Sequence, residues 1–293
     1  MFFNTDKVNK LLAPVLIPPL LMSFSAKSCR AELLQPRGAF FHRQEIPALS
    51  TKNFQRIHAE FTLPEFSTDP NRQYKHFSDE NPDRTGPLDK FNVYVGIREP
   101  IKRDGSRGPM IFEAGLGYER KFVNGEWQNQ YAWLPFMRLP GHVYKKPWKK
   151  PVPGEYMPYF NPGESISLDL SLSPDNRHVR LSICSLQDPG KKWSGVWEIS
   201  GLDKVEQLQA RRVASIDQFT LDSRMRRKGA EWSKKSPVTS ATATGFRWNS
   251  SFVETRNGDR KILSGHEDYV KGVYPGGTDS HGGQEIRFSP ALR

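Results

Sequence analysis

Glu113 is the first residue in this sequence whose setting suggests chemistry. It stands inside Met110-Ile111-Phe112-Glu113-Ala114-Gly115-Leu116-Gly117-Tyr118, an otherwise apolar and small-residue segment. A carboxylate placed there on a sheet surface and sheltered from water would have a raised pKa and could exchange protons with a substrate. Strand alternation offers a competing reading, with Phe112 and Ala114 in the core and Glu113 on the opposite, solvated face. The second set is aromatic. Trp127, Tyr131 and Trp133 fall in one segment, and Tyr131 and Trp133, two apart, share a strand face. Flat rings stack on sugars, and they also fill cores. The third set is Lys145-Lys146-Pro147-Trp148-Lys149-Lys150. There Trp148 flanked by Lys146 and Lys149 could hold an anionic polymer, or simply form a solvated loop.

Other chemistries lack their residues. The sequence has no Gly-x-Ser-x-Gly, no phosphate-binding loop and no dinucleotide fingerprint. Its two cysteines, Cys29 and Cys184, make no metal-ligand cluster with histidine, so neither metal nor cofactor is expected. His281, with Asp279 two residues before it, is the one local pair of interest. The net charge is +11, of which Lys7, Lys10, Lys27 and Arg30 against Asp6 supply +3. Such a balance favours polyanions, but no nucleic-acid motif accompanies it, and no specific nucleic-acid partner is expected.

These candidates need a scaffold, and the scaffold reads as strands. Phe91–Ile97, Met110–Tyr118 and Trp127–Met137, separated by Asp104-Gly105 and Asn124-Gly125, predict a three-strand meander. Ile166, Leu168, Leu170 and Leu172 alternate with polar residues. The Asp175-Asn176 turn and Val179, Leu181 and Ile183 then predict a return strand. Further short strands are expected at 57–63, 196–199, 213–221, 244–253, 260–264 and 284–288. Leu202–Arg211 has helical spacing through Val205 and Leu208. Residues 64–89, 138–164 and 222–237 read as loops. The expected fold class is all-β, an antiparallel β-sandwich. Residues 57–293 form its single domain, 32–56 an extended linker, and 1–31 a signal peptide or targeting segment. In that segment Lys7 and Lys10 precede an apolar stretch, Leu11–Phe24, too short to span a bilayer. A secreted, periplasmic or cell-surface monomer with no integral membrane span follows.

The order Tyr94-Val95-Gly96-Ile97, Phe112–Tyr118, Tyr131–Met137, Asn161–Leu168 and Arg211–Gln218 resembles the concanavalin A-like jelly roll, in particular the YrpD-like secreted bacterial proteins. It is also similar to the glutamic peptidases. Their Gln and Glu pair on the concave sheet would correspond here to Glu113 and Asp217, both departures from that pattern. The resemblance thus implies two carboxylates that could share a proton. The expected function is a non-catalytic exported sandwich binding carbohydrate or another extracellular, possibly anionic, polymer. Its alternative is a secreted hydrolase or lyase acting on polysaccharide or peptide through Glu113 and Asp217.

Overall fold

A computed structural model of the chain describes residues 40–70, 73–74, 86–87, 89–100, 110–123, 126–138, 158–199, 202–218, 239–270 and 272–289. These residues carry eighteen strands: β1 (Phe40–Glu45), β2 (Leu49–Ser50), β3 (Phe54–Thr62), β4 (Glu65–Ser67), β5 (Gln73–Tyr74), β6 (Gly86–Pro87), β7 (Asp89–Arg98), β8 (Met110–Val123), β9 (Glu126–Arg138), β10 (Ser165–Leu172), β11 (His178–Ser185), β12 (Lys192–Glu198), β13 (Gln207–Gln218), β14 (Thr242–Thr255), β15 (Arg260–Ile262), β16 (His266–Tyr269), β17 (Val273–Pro275) and β18 (Gln284–Phe288). Two large antiparallel sheets result. The first runs β16-β1-β13-β7-β8-β9, with β2 added on β13. The second runs β12-β11-β10-β3-β14-β18-β17, with β4 and β15 added on β14.

The chain is therefore an all-β sandwich, as its alternation implied. The meander is β7-β8-β9, and the Ile166–Leu172 alternation forms the hairpin β10-β11. One side of every long strand feeds a shared core. Phe91 of the first sheet meets Phe246 and Phe288 of the second at ring distances of 5.7 and 5.1 Å. Burying side chains of this size stabilises each by about 1.5–3 kcal/mol, so this layer holds the sheets together.

Three expectations are corrected. The 32–56 segment is not a linker throughout: from Phe40 it supplies β1, paired with β13 on one side and β16 on the other, then β2 and the start of β3. All six residues of β1, Phe-Phe-His-Arg-Gln-Glu, are buried. A strand covered on both faces shows no polar–apolar alternation to read. Leu202–Arg211 is not a helix. Only Leu202–Lys204 forms a single 3₁₀ turn, and β13 starts at Gln207. Leu208, Ala210, Arg212, Ala214 and Ile216 all face the core at a period of two. The buried guanidinium of Arg212 interrupts an otherwise apolar row, which hid the strand. The 64–89 stretch, read as loop, contains β4 and the small β5-β6 ladder.

Arg212 also ties the layers together. From β13 it donates to Ser251 Oγ on β14 at 2.6 Å, to the Gly282 carbonyl, and to Gln284 Oε1 on β18 at 2.9 Å. Its guanidinium lies 5.2 Å from the Trp248 ring centroid. Gln284 in turn donates to Glu267 Oε1 at 2.8 Å, which also lies 2.7 Å from His42 Nε2 on β1. Burial lowers the Arg212 pKa, and the negative charges of Glu267 and Asp279 oppose that fall. Among the described residues, no helix is long and apolar enough to cross a membrane.

Candidate functional site

Because Phe112, Ala114 and Leu116 point into the core, Glu113, Gly115 and Gly117 must point to the other face of the first sheet. Glu113 thus takes the face that alternation predicted. That face is not open water, however, since Glu113 is buried. Register explains what surrounds it. Perpendicular to the strands, one row aligns His266 on β16, Glu45 on β1, Arg211 on β13, Gly96 on β7, Glu113 on β8 and Arg138 on β9. Six strands contribute five ionisable side chains, and a single glycine breaks the row.

The glycine is what lets the row close. Arg211 and Glu113 lie two strand spacings apart, roughly 9.6 Å. They nevertheless form an ion pair across Gly96. A Cβ at Gly96 would stand 2.8 Å from the Phe112 carbonyl oxygen and 3.4 Å from Glu113 Cγ, in the path of that contact. Arg138 approaches the other Glu113 oxygen at 3.5 Å. Toward β1, Glu45 lies 3.3 Å from both Arg43 and Arg98. Arg98 also donates to Gln209 Oε1 at 3.1 Å, while Arg43 pairs with Asp268, which holds His266 at 2.8 Å. The row is sunken in its middle and accessible at its ends. Glu45 is 1% exposed, whereas the Arg138 and His266 side chains are 68% and 66% exposed.

The neighbouring row is aromatic: Asp268, Arg43, Val213, Tyr94, Gly115 and Phe136. Tyr94 and Phe136 meet over Gly115 with ring centroids 6.0 Å apart. A Cβ there would fall 2.0 Å from the Val93 carbonyl oxygen. The Arg211 guanidinium caps the Tyr94 ring at 5.9 Å, a cation–π geometry. Burial pushes the Tyr94 hydroxyl well above the usual phenol range, and the Glu113 charge adds to this, so it stays a neutral donor.

Asp217 lies on this same face, six residues along β13 from Arg211, and accepts a 2.8 Å hydrogen bond from Asn92 Nδ2. Burial raises its pKa, and the Glu113 charge pushes in the same direction; the Asn92 hydrogen bond opposes both. The two carboxylates therefore share a face, but register sets them six residues apart along β7, at Lys90 and Gly96, and on strands two apart. Glu113, however, is already held by Arg211 and Arg138. A raised carboxyl pKa means that the native state binds the proton more tightly than the unfolded chain. Its contribution is full below the unfolded value of about 3.9 and is lost as pH rises through the native titration. Asp217→Asn is expected to gain stability relative to the wild type between pH 4 and pH 8. Urea midpoints at both pH values measure this, and an unchanged difference between the proteins would contradict it.

The aromatic candidates divide. Trp133 is wholly buried, in edge contact with Phe91 at 5.3 Å and Tyr118 at 5.5 Å, so its role is core packing. Tyr131 stacks on Tyr118 at 5.6 Å and is half-buried on that same core side. Trp127 lies on β9 opposite Phe122 in register. Trp148, Lys146 and Lys149 lie outside the described residues. Asp279 is no partner for a catalytic His281. Its carboxylate accepts the backbone N–H groups of His281 and Gly283 at 2.9 and 2.7 Å, which shapes a turn and lowers its pKa. Sequence reasoning missed Tyr94, Arg211, Arg138 and Glu45. One signal was present, an Arg-Arg pair inside a strand pattern, since guanidiniums rarely enter a sheet without partners. No protein-family model and no curated protein sequence matches the chain.

Proposed function

We propose that this protein is an exported, non-catalytic β-sandwich of the concanavalin A-like kind that binds an extracellular carbohydrate along the outer face of its first sheet. The observation that supports this reading most is the transverse row His266–Glu45–Arg211–Gly96–Glu113–Arg138, flanked by Tyr94 and Phe136. Sugar hydroxyls each donate and accept hydrogen bonds. The buried interior of the row is paired with itself, so the functions it presents stand at its exposed ends, the Arg138 guanidinium as donor and the His266 imidazole. Half-buried Tyr94 and Phe136 offer apolar ring surface to the C–H faces of a sugar. Five strand spacings make the row about 24 Å long, which suits a chain better than a single sugar.

The arrangement favours binding over hydrolysis. A glycosidase needs two carboxylates free to flank one bond. Here Glu113 is engaged by two guanidiniums, which leaves Asp217 without a second free carboxylate from that pair. The pairing also balances the charge on this face, so the reading centres on a polyhydroxylated chain rather than a strongly anionic one. The loop lysines would supply attraction for acidic polymers.

A glycan array with the whole protein tests the reading. Arg138→Ala removes an exposed guanidinium at the accessible end of the row. It is expected to weaken binding to the bound glycan roughly tenfold while leaving thermal stability within about 0.5 kcal/mol. Wild-type protein that binds no glycan, or an Arg138→Ala variant that binds as well as wild type, would overturn the assignment. Release of reducing ends from a bound polysaccharide, lost in Asp217→Asn, would replace it with the hydrolase reading.

A further inference from the structure

The second sheet ends on β12, which among the described residues is hydrogen-bonded on one side only, to β11. Its sequence is Lys192-Trp193-Ser194-Gly195-Val196-Trp197-Glu198. Natural edge strands are usually guarded by proline, bulges or several lysines. This one has neither proline nor an internal charge, and it exposes Val196 at 54%. Nearby Leu186, where the chain leaves β11, is exposed at 48%. The strand is also self-complementary about Gly195. Aligned antiparallel with a copy of itself, Lys192 falls opposite Glu198, Trp193 opposite Trp197, Ser194 opposite Val196, and Gly195 opposite Gly195.

We infer that β12 is the interface of a symmetric homodimer, in which two copies pair edge to edge and join their second sheets into one. A two-fold axis requires that if residue i contacts j, then j contacts i, and this strand satisfies that condition at every position. The charges match the face on which they lie. Lys192 and Glu198 are both exposed, on the side away from the core, and neither has an ion-pair partner among the described residues. Pairing would give each lysine a glutamate directly across the strands and would cover Val196 with Ser194 of the other copy. On the opposite side, Trp193 and Trp197 of each copy are half-buried and touch at 5.8 Å over Gly195. A Cβ at Gly195 would fall 2.3 Å from the Trp197 ring, so the glycine leaves room for that indole to lie along the strand. Dimerisation would bring four indoles into one cross-strand cluster. A seven-residue pairing is a small interface, so the dimer should be concentration-dependent. It replaces the monomer expected from the sequence and does not depend on the carbohydrate reading.

A charge swap on the full chain tests it by sedimentation velocity over a hundredfold range of protein concentration. The wild type is expected to pass from monomer to dimer. Glu198→Lys and Lys192→Glu each set like charges opposite one another twice per dimer and are expected to weaken association roughly tenfold or more. The double variant restores both opposite-charge contacts and is expected to regain the wild-type constant. All four positions of charge are exposed, and unchanged melting curves at low concentration would confirm folded variants. A wild type that stays monomeric throughout overturns the inference. So does a dimer that tolerates either single swap, or a double variant that stays monomeric while folded.

Discussion

Gly96→Val is expected to cost on the order of 4 kcal/mol of folding stability and to abolish glycan binding. Gly96 is the residue between Arg211 and Glu113, and its missing side chain is the space through which the two charges meet. Even the first carbon of a new side chain would lie 2.8 Å from a backbone oxygen of the adjoining strand, which cannot swing aside as a flexible side chain would. The branched carbons would then separate the ion pair, leaving a buried guanidinium and a buried carboxylate each short of its main partner. Loss of one partner of a buried pair generally costs about 3–5 kcal/mol. Urea unfolding reads the stability, and Glu113→Gln provides the reference. It keeps the shape, removes only the charge, and should cost less. A valine variant within about 1 kcal/mol of wild type would show that the row does not depend on the glycine gap.

Arg212→Ala is expected to be comparably severe, by about 3–5 kcal/mol, but without a direct effect on the outer face. Arg212 points inward from the same strand that sends Arg211 outward, and it serves three acceptors in the second sheet and the Gly282 turn. Its truncation would strand the Ser251 hydroxyl, the Gly282 carbonyl and the Gln284 amide oxygen, each costing about 1–3 kcal/mol when buried without a donor. It would also remove the cation from the Trp248 ring and a positive charge that Glu267 and Asp279 favour. Thermal and urea unfolding measure the loss. Hydrogen exchange at Gly282 and Gln284 should accelerate more than at β10, because Arg212 anchors those two residues and not β10. Uniform acceleration across both sheets would argue that Arg212 acts only through global stability.

The two adjacent arginines of β13 show how far local reading goes. Strand period assigns them to opposite faces whatever the fold. That Arg211 finds Glu113 two strands away, and Arg212 finds Ser251 in the other sheet, depends on which strands become neighbours. The order β16-β1-β13-β7-β8-β9 interleaves segments from the two ends of the described chain, with β1 near residue 40 placed beside β13 and β16. Pairings across more than two hundred residues leave no trace in a local pattern. Tyr94 and Phe136 belong to the legible meander, yet their contact passes over Gly115 from strands that are not direct neighbours.

By itself the sequence determined the fold class, the β7-β8-β9 meander and the β10-β11 hairpin. All of these follow from a period of two and from turn residues, which act over a few neighbouring positions. Tertiary structure decided the rest. It turned Phe40–Glu45 into an internal strand between β16 and β13, which the sequence hid because a strand buried on both faces carries no alternating signal. It sent Trp133 to the core, because Phe91 of β7 and Tyr118 of β8 pack against its ring on that side of the sheet. And it gathered five ionisable side chains from five strands into one row, because strand order and register place residues side by side however far apart they are in the chain.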